Sequence, residues 1–292
     1  MLSRNQRVVM VAVRTREDFQ AMRKRMHNRL GVKSATKGRG ENKVREEQDL
    51  TPSTQRHFDP ADSSEFAKFA DSAMEQEKEV EKKLKSVLGR FPIYNEWLRH
   101  VKGVGTIISG YLLGNIDIEE ATTVSKIWQF AGLNPDLVRG KKRMSAKDYK
   151  SEMGEVVKKI DMGESKPEDY IVLTDEMIRG DKLASGFVSP FNQSLRVALM
   201  GILAPSFIKS RSSYAIEFYY PYKNRLEQSD REVLHIGKMV PWKDVNKGHR
   251  DFAARRYMVK MFLKDLYAMW RPIEGLSVRK PYSEEYLGKV HA

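Results

Sequence analysis

The sequence predicts an all-α protein with a basic N-terminal arm, a long coiled-coil-like helix and a helix-hairpin-helix-containing helical domain. Three observations carry that expectation. Apolar residues recur at three- and four-residue spacing over several long stretches, which is the helical period. Of the 292 residues, 31 % are charged and 40 % hydrophobic, a balance that suits solvated helix faces around a core. The run Val101-Lys102-Gly103-Val104-Gly105 sets two glycines in an aliphatic frame and marks a tight turn between helices.

Taken in order, the first helix is expected from about Arg4 to Leu30, with Phe19, Met22, Met26 and Leu30 on one face. Val8–Val13 has a short strand as its alternative. Gly31 ends this helix, and residues 33–57, polar and without periodicity, read as a linker. The second helix starts near Asp59 or Ser63, with Pro60 in its first turn. Its interrupted stripe is Phe66, Phe69, Ala70, Ala73, Met74, Glu77, Val80, Leu84, Val87 and Leu88, and the run Glu77–Lys83 reads as a solvated face with four-apart ion pairs. The stripe packs on its own domain or pairs two chains as a coiled coil. Gly89 ends it. Helix, hairpin, helix, helix follow from Phe91 to Leu133. Residues 134–190 are polar and glycine-rich and read as irregular. Further helices are expected at about Asn192–Lys209, where Pro205 bends or ends the run, at Ser212–Gln228, and at Arg250–Trp270, which Pro272 closes. The expected division is 1–58, 59–90 and 91–292, with a polar insertion at about 144–190.

Composition excludes several classes. No cysteine is present, so there are no disulfides or thiolate metal sites, and a cytoplasmic setting fits. No apolar run approaches the ~20 residues a membrane span needs. The six histidines show no metal-ligand spacing, and neither a cofactor nor a metal is expected. Net charge is +13. Residues 1–46 hold 13 Lys or Arg against 4 Asp or Glu. A field of this sign draws polyanions.

The hairpin supplies a mechanism for that attraction. Glycine at 103 and 105 permits positive φ and close backbone approach. Val101 and Val104 plug the turn into the core. The amides of Gly103, Gly105 and the first turn of the next helix then face outward at the positive end of a helix, which suits a phosphate, so Lys102, Gly103, Val104, Gly105 and Thr106 form the expected DNA-binding set. Arg139, Lys141, Lys142 and Arg143, expected in a loop, form a second phosphate contact. Such contacts position a duplex and read no bases.

The same residues carry a resemblance. Val101-Lys102-Gly103-Val104-Gly105, Asn115-Ile116-Asp117-Ile118 and Ile127-Trp128-Gln129-Phe130-Ala131-Gly132-Leu133-Asn134-Pro135 together resemble the C-terminal domain of insertion-sequence transposases of the one-hundred-ten (one-hundred-sixteen) family. Gly140-Lys141-Lys142-Arg143 resembles that family's basic stretch. Phe191–Leu199 and Arg255–Leu263 resemble its later helices. The likeness covers roughly half of the chain. It implies DNA binding, a mobile-element or phage origin and a role in recombination. The family's N-terminal RNase-H-like nuclease domain has no counterpart in residues 1–90, where Val8–Val13 carries no acid. The family's serine nucleophile falls at Val138 and Arg139, neither of which can attack a phosphodiester as a hydroxyl would. Ser145 is the nearest substitute, with no evident base.

Two further groups draw notice. Tyr214, Phe218, Tyr219, Tyr220 and Tyr222 lie near Lys209, Arg211, Lys223 and Arg225, as core or as rings on which bases stack. His249-Arg250 opens the last helix and is a phosphate candidate. Trp128 and Phe130 are expected in the core. The expectation is an accessory DNA-binding protein that holds duplex or branched DNA by its phosphates, with structured RNA as a further partner and a homodimer as the assembly. The alternatives are an active transposase or recombinase, and a protein-interaction module whose glycines serve folding alone.

Overall fold

The structure, a computed structural model, describes residues 3–29, 35–37, 44–46, 60–134, 137–145, 169–179, 185–235 and 237–280. Among these the chain is mostly helical, with three two-stranded antiparallel sheets added. Contacts divide it into two units, Met1–His100 with Gly105–Asn115, and Val101–Val104 with Ile116–Ala292. The breaks expected near 58 and 90 are not where the contacts divide.

The first unit holds α1 (Arg4–Arg29), strands β1 (Ala35–Lys37) and β2 (Val44–Glu46), α2 (Pro60–Leu88), α3 (Pro92–Glu96), a 3-10 turn at Leu98–His100 and α4 (Thr106–Asn115). A capping box starts α1. Ser3 Oγ accepts from the Gln6 amide at 3.2 Å, and Gln6 Oε1 accepts from the Ser3 amide at 2.8 Å, satisfying donors that a helix start leaves bare. Val8–Val13 is helical, not a strand. The buried face of α1 is Gln6, Val9 and Val13, not the expected Phe19-Met22-Met26 stripe, and Met22 is exposed. Packing on α4 explains the choice. Gly110 and Gly114 lie four apart on one face of α4. A Cβ on Gly110 would meet Val13 Cγ2 at 2.7 Å, and one on Gly114 would meet Val9 Cγ1 at 3.2 Å. The glycines thus form a notch that the two valines fill. Part of the expected linker is ordered, since β1 pairs with β2 from Ala35↔Glu46 to Lys37↔Val44.

The long helix α2 begins at the expected Pro60, and Gly89 follows its end. Ala70, Ala73, Leu84, Val87 and Leu88 are buried, whereas Phe66 and Phe69 are exposed with ring centroids 6.3 Å apart. Glu77, shared in the sequence by the stripe and the solvated run, lies on the covered side with the stripe. That carboxylate is buried between Arg16 NH2 at 2.6 Å and Arg23 Nε at 3.0 Å, both from α1. Leu84 shares the Gly110 notch with Val13, while Glu77 meets residues 16 and 23. The two helices therefore run antiparallel, and the middle of the stripe is covered by the chain's own first helix.

The second unit holds α5 (Val124–Phe130), β3 (Leu137–Ser145), β4 (Asp169–Arg179), α6 (Gln193–Val197), α7 (Ala204–Ser210), α8 (Tyr220–Glu227), β5 (Glu232–His235), β6 (Lys238–Pro241) and α9 (Lys247–Ile273). Its core is α9, which buries Met258, Val259, Met261, Phe262, Leu263, Leu266, Tyr267, Trp270 and Arg271. Phe207, Tyr214 and Phe262 form a ring cluster with centroids 5.2–5.5 Å apart, within the range of favourable aromatic pairing. Arg271 is buried too. Its NH1 reaches Ile118 O at 2.8 Å and Ala121 O at 3.0 Å, and its Nε reaches Ser277 O at 2.6 Å. Trp128 is buried and donates to Lys260 O at 3.1 Å, but Phe130 is exposed, against expectation. A Cβ on Gly132 (φ +65°) would meet the Phe191 ring at 2.6 Å.

The expected irregular insertion is corrected to a sheet. β3 pairs with β4 from Leu137↔Arg179 to Ser145↔Asp169, with a bulge between Arg139 and Lys141. Lys142 also bridges to Phe187 on the other edge. Pro205 neither ends nor breaks its helix. A π-helical turn over Ala198–Leu203 precedes α7, and another over Ala215–Tyr219 precedes α8. Pro205 and Pro221 are each the second residue of the α-segment that follows. A proline lacks an N–H and clashes with the carbonyl four residues back. Here those carbonyls, of Gly201 and Glu217, lie in the widened turns, so the helices continue.

Replacing Glu77 by Leu leaves two partly buried guanidiniums without their counter-charge. Chemical denaturation is expected to show a loss of about 3 kcal/mol. Glu79→Ala breaks only the exposed pair with Lys82 and is expected to cost under about 1 kcal/mol.

Candidate nucleic-acid interface

The glycine hairpin forms where the sequence places it, but its two glycines serve different ends. Gly103 has φ +97°, and a Cβ there would meet Phe207 Cδ1 at 2.7 Å. Its carbonyl accepts from Ser206 Oγ at 2.7 Å. Conformation and packing both require glycine at 103. Gly105 is exposed, its φ is not positive, and a Cβ would meet nothing within 4 Å. Neither backbone strain nor packing accounts for it.

The amides also divide. Val104 N donates to Val101 O at 3.0 Å, so the Val104 amide is spent within the turn. Both valines are only half-buried. Ser109 closes the first turn of α4, with its amide 3.0 Å and its hydroxyl 3.1 Å from Gly105 O. Among the described residues, no internal acceptor is found for the amides of Gly105, Thr106 and Ile107. Beyond that first turn α4 is buried from Ile108 to Gly114. That first turn is its positive end. Lys102, three residues before Gly105 in the chain, is exposed.

The second basic group lies in strand β3, not in a loop. Lys141 and Arg143, two apart, share one face and are exposed. Lys142 is on the other face, with Nζ 4.8 Å from the Phe187 ring centroid. Arg139 is ion-paired with Asp175 and donates from Nε to Thr174 O at 3.1 Å. Arg139, Lys141 and Arg143 are thus all exposed, and Lys142 is half-buried against a ring. Val138, at the family's serine position, is half-buried. Ser145 ends β3 opposite Asp169, and its side chain lies outside the described residues. No group of three or more His, Asp or Glu able to hold a metal is found among the described residues.

Arg250 is bound into the fold, and His249 is exposed beside two rings. Arg250 NH1 donates to Lys243 O at 2.6 Å and Val245 O at 2.5 Å, closing the turn before α9. His249 stacks on Trp242 with centroids 5.7 Å apart, beside His235 at 5.0 Å. Burial, followed by His235 and Arg256, holds its pKa below the ordinary histidine value. A neutral imidazole is a poor phosphate partner.

The aromatic group is largely core. Tyr214 is buried and donates to Asp265 at 2.7 Å, and Tyr219 is buried and donates to Asp251. Burial and these carboxylates push both phenols well above their ordinary value. Of that group Phe218, Tyr222 and Arg225 line a groove of about 130 Å³, to which Glu217, Pro221 and Tyr257, not gathered from the sequence, also belong. The four-residue spacing of 217, 221 and 225 is the signal that would have gathered its polar residues.

No family model matches the chain, and no curated protein is found to be similar to it.

Two outcomes are expected. Gly103→Ala lowers stability by about 1–3 kcal/mol, whereas Gly105→Ala leaves thermal denaturation unchanged. On acidification from about pH 7 to 5, the unfolded chain takes up a proton that folded His249 resists, so stability falls with pH. His249→Gln flattens that part of the melting-temperature profile.

Proposed function

We propose that the chain binds duplex DNA through its phosphate backbone. The amides of Gly105, Thr106 and Ile107 receive a phosphate oxygen, Lys102 adds charge, and Lys141 with Arg143 makes a second contact. The observation that carries this reading is Gly105. It is an exposed glycine with open space where a side chain would stand and no strained backbone to excuse it. A ligand that must approach the bare amides gives glycine a reason there. The net charge of +13 favours a polyanion as that ligand.

The resemblance to transposase C-terminal domains supports a role in recombination or in phage and mobile-element biology. It supports an accessory role over strand transfer, since Val138 and Arg139 stand where the family's nucleophile falls. Exposed Phe66 and Phe69 at the start of α2 support pairing of two chains there.

Fluorescence anisotropy on a labelled duplex tests the reading. Binding is expected to weaken steeply with salt and to depend little on sequence. Lys141→Ala with Arg143→Ala is expected to lower the salt slope by about 2, one unit for each lost phosphate. Lys102→Glu with Gly105→Asp is expected to weaken binding at least about tenfold with an unchanged melting temperature. Duplex affinity unmoved by either pair of changes would remove the assignment.

A further inference from the structure

The groove beside α8 has a chemistry that phosphate binding does not use. Tyr222 and Tyr257 stack with centroids 4.4 Å apart and planes 20° from parallel. Phe218 meets Tyr257 edge-on at 6.1 Å. The Arg225 guanidinium stands over the Tyr222 ring, 4.7 Å from its centroid. A planar, delocalised cation thus covers the ring face that a planar heterocycle would take. Glu217 brings an exposed carboxylate to the same groove. The groove owes its shape to the π-helical turn at Ala215–Tyr219 that accommodates Pro221, and widened turns of this kind recur at functional sites.

The surroundings select the ligand. An aromatic wall with a carboxylate also suits an organic cation. Arg225 already fills that position, however, and the charges of Arg225 and Lys264 both act on Tyr257, so a further cation is repelled. A planar ring attached to an anion is attracted. Space of about 130 Å³ suits one base, not a stacked pair.

We infer that this groove holds one unpaired nucleobase of a single strand, stacked on Tyr222 in exchange for the Arg225 guanidinium and hydrogen-bonded through its exocyclic amine to Glu217. Arg225, once displaced, pairs with the strand's phosphate. Cytosine fits the carboxylate, because its N4 amine donates to it. Thymine sets carbonyl oxygens on both sides of its N3–H, and the carboxylate repels them. The site goes beyond the duplex reading and uses none of the hairpin residues.

The test is anisotropy with labelled oligo-dC and oligo-dT of equal length. Oligo-dC is expected to bind about tenfold tighter than oligo-dT. Glu217→Gln, a change at an exposed residue, is expected to bring that ratio near one. Tyr222→Leu is expected to weaken oligo-dC about tenfold. Equal affinity for the two strands, or a ratio unmoved by Glu217→Gln, overturns the inference. Displacement of oligo-dC by an equal concentration of dCMP overturns the assignment to a strand and leaves a free nucleotide as the ligand. Lys102→Glu with Gly105→Asp serves as the control. If the native protein keeps the dC preference but holds no duplex, the hairpin reading alone has failed.

Discussion

Helix α4 is covered along its middle and half-buried at its two ends, Thr106–Ile107 and Asn115. From Ile108 to Gly114 it is buried, and the notch at Gly110 and Gly114 locks it against Val13 and Val9. Its first turn is left with amides that no internal group satisfies. A buried helix has its dipole poorly screened along its length. The exposed donors at its start are therefore the strongest fixed positive feature of the hairpin. The proposed phosphate contact depends on this burial, as does the distinction between a glycine kept for geometry at 103 and one left open at 105.

The cations sort by what holds them. Arg16 and Arg23 neutralise buried Glu77, Arg250 and Arg271 bind backbone carbonyls, and Arg139 is paired to Asp175. These arginines serve the fold. A planar guanidinium can satisfy several acceptors at once, and a buried carbonyl left alone is costly. Lys102, Lys141 and Arg143 remain exposed.

Two prolines within helices lead to the same local solution, a π-helical turn that moves the offending carbonyl aside. At Pro221 that solution also shapes a groove beside stacked tyrosines. Backbone held by phosphate and a base held by a ring are separate chemistries. The two proposed contacts together would suit nucleic acid that is partly open.

The sequence by itself determined the helices and the turn. Periodicity located α2 and α9, Pro60 and Gly89 bounded α2, and the glycines at 103 and 105 marked the hairpin, because these signals act within a few residues. Ser3-x-x-Gln6 was equally legible as a capping box and would have placed the start of α1. Tertiary structure decided which face of each element is covered. The face of α1 carrying Val9 and Val13 is buried because α4 offers a glycine notch, which no local pattern in α1 reveals. The stretch from Leu137 to Ser145 looked irregular because its strand partner lies 24 or more residues away. Glu77 fell in a charged run because the arginines that neutralise it lie more than 50 positions off. Burial and pairing are properties of distant residues brought together, and spacing within one segment carries no record of them.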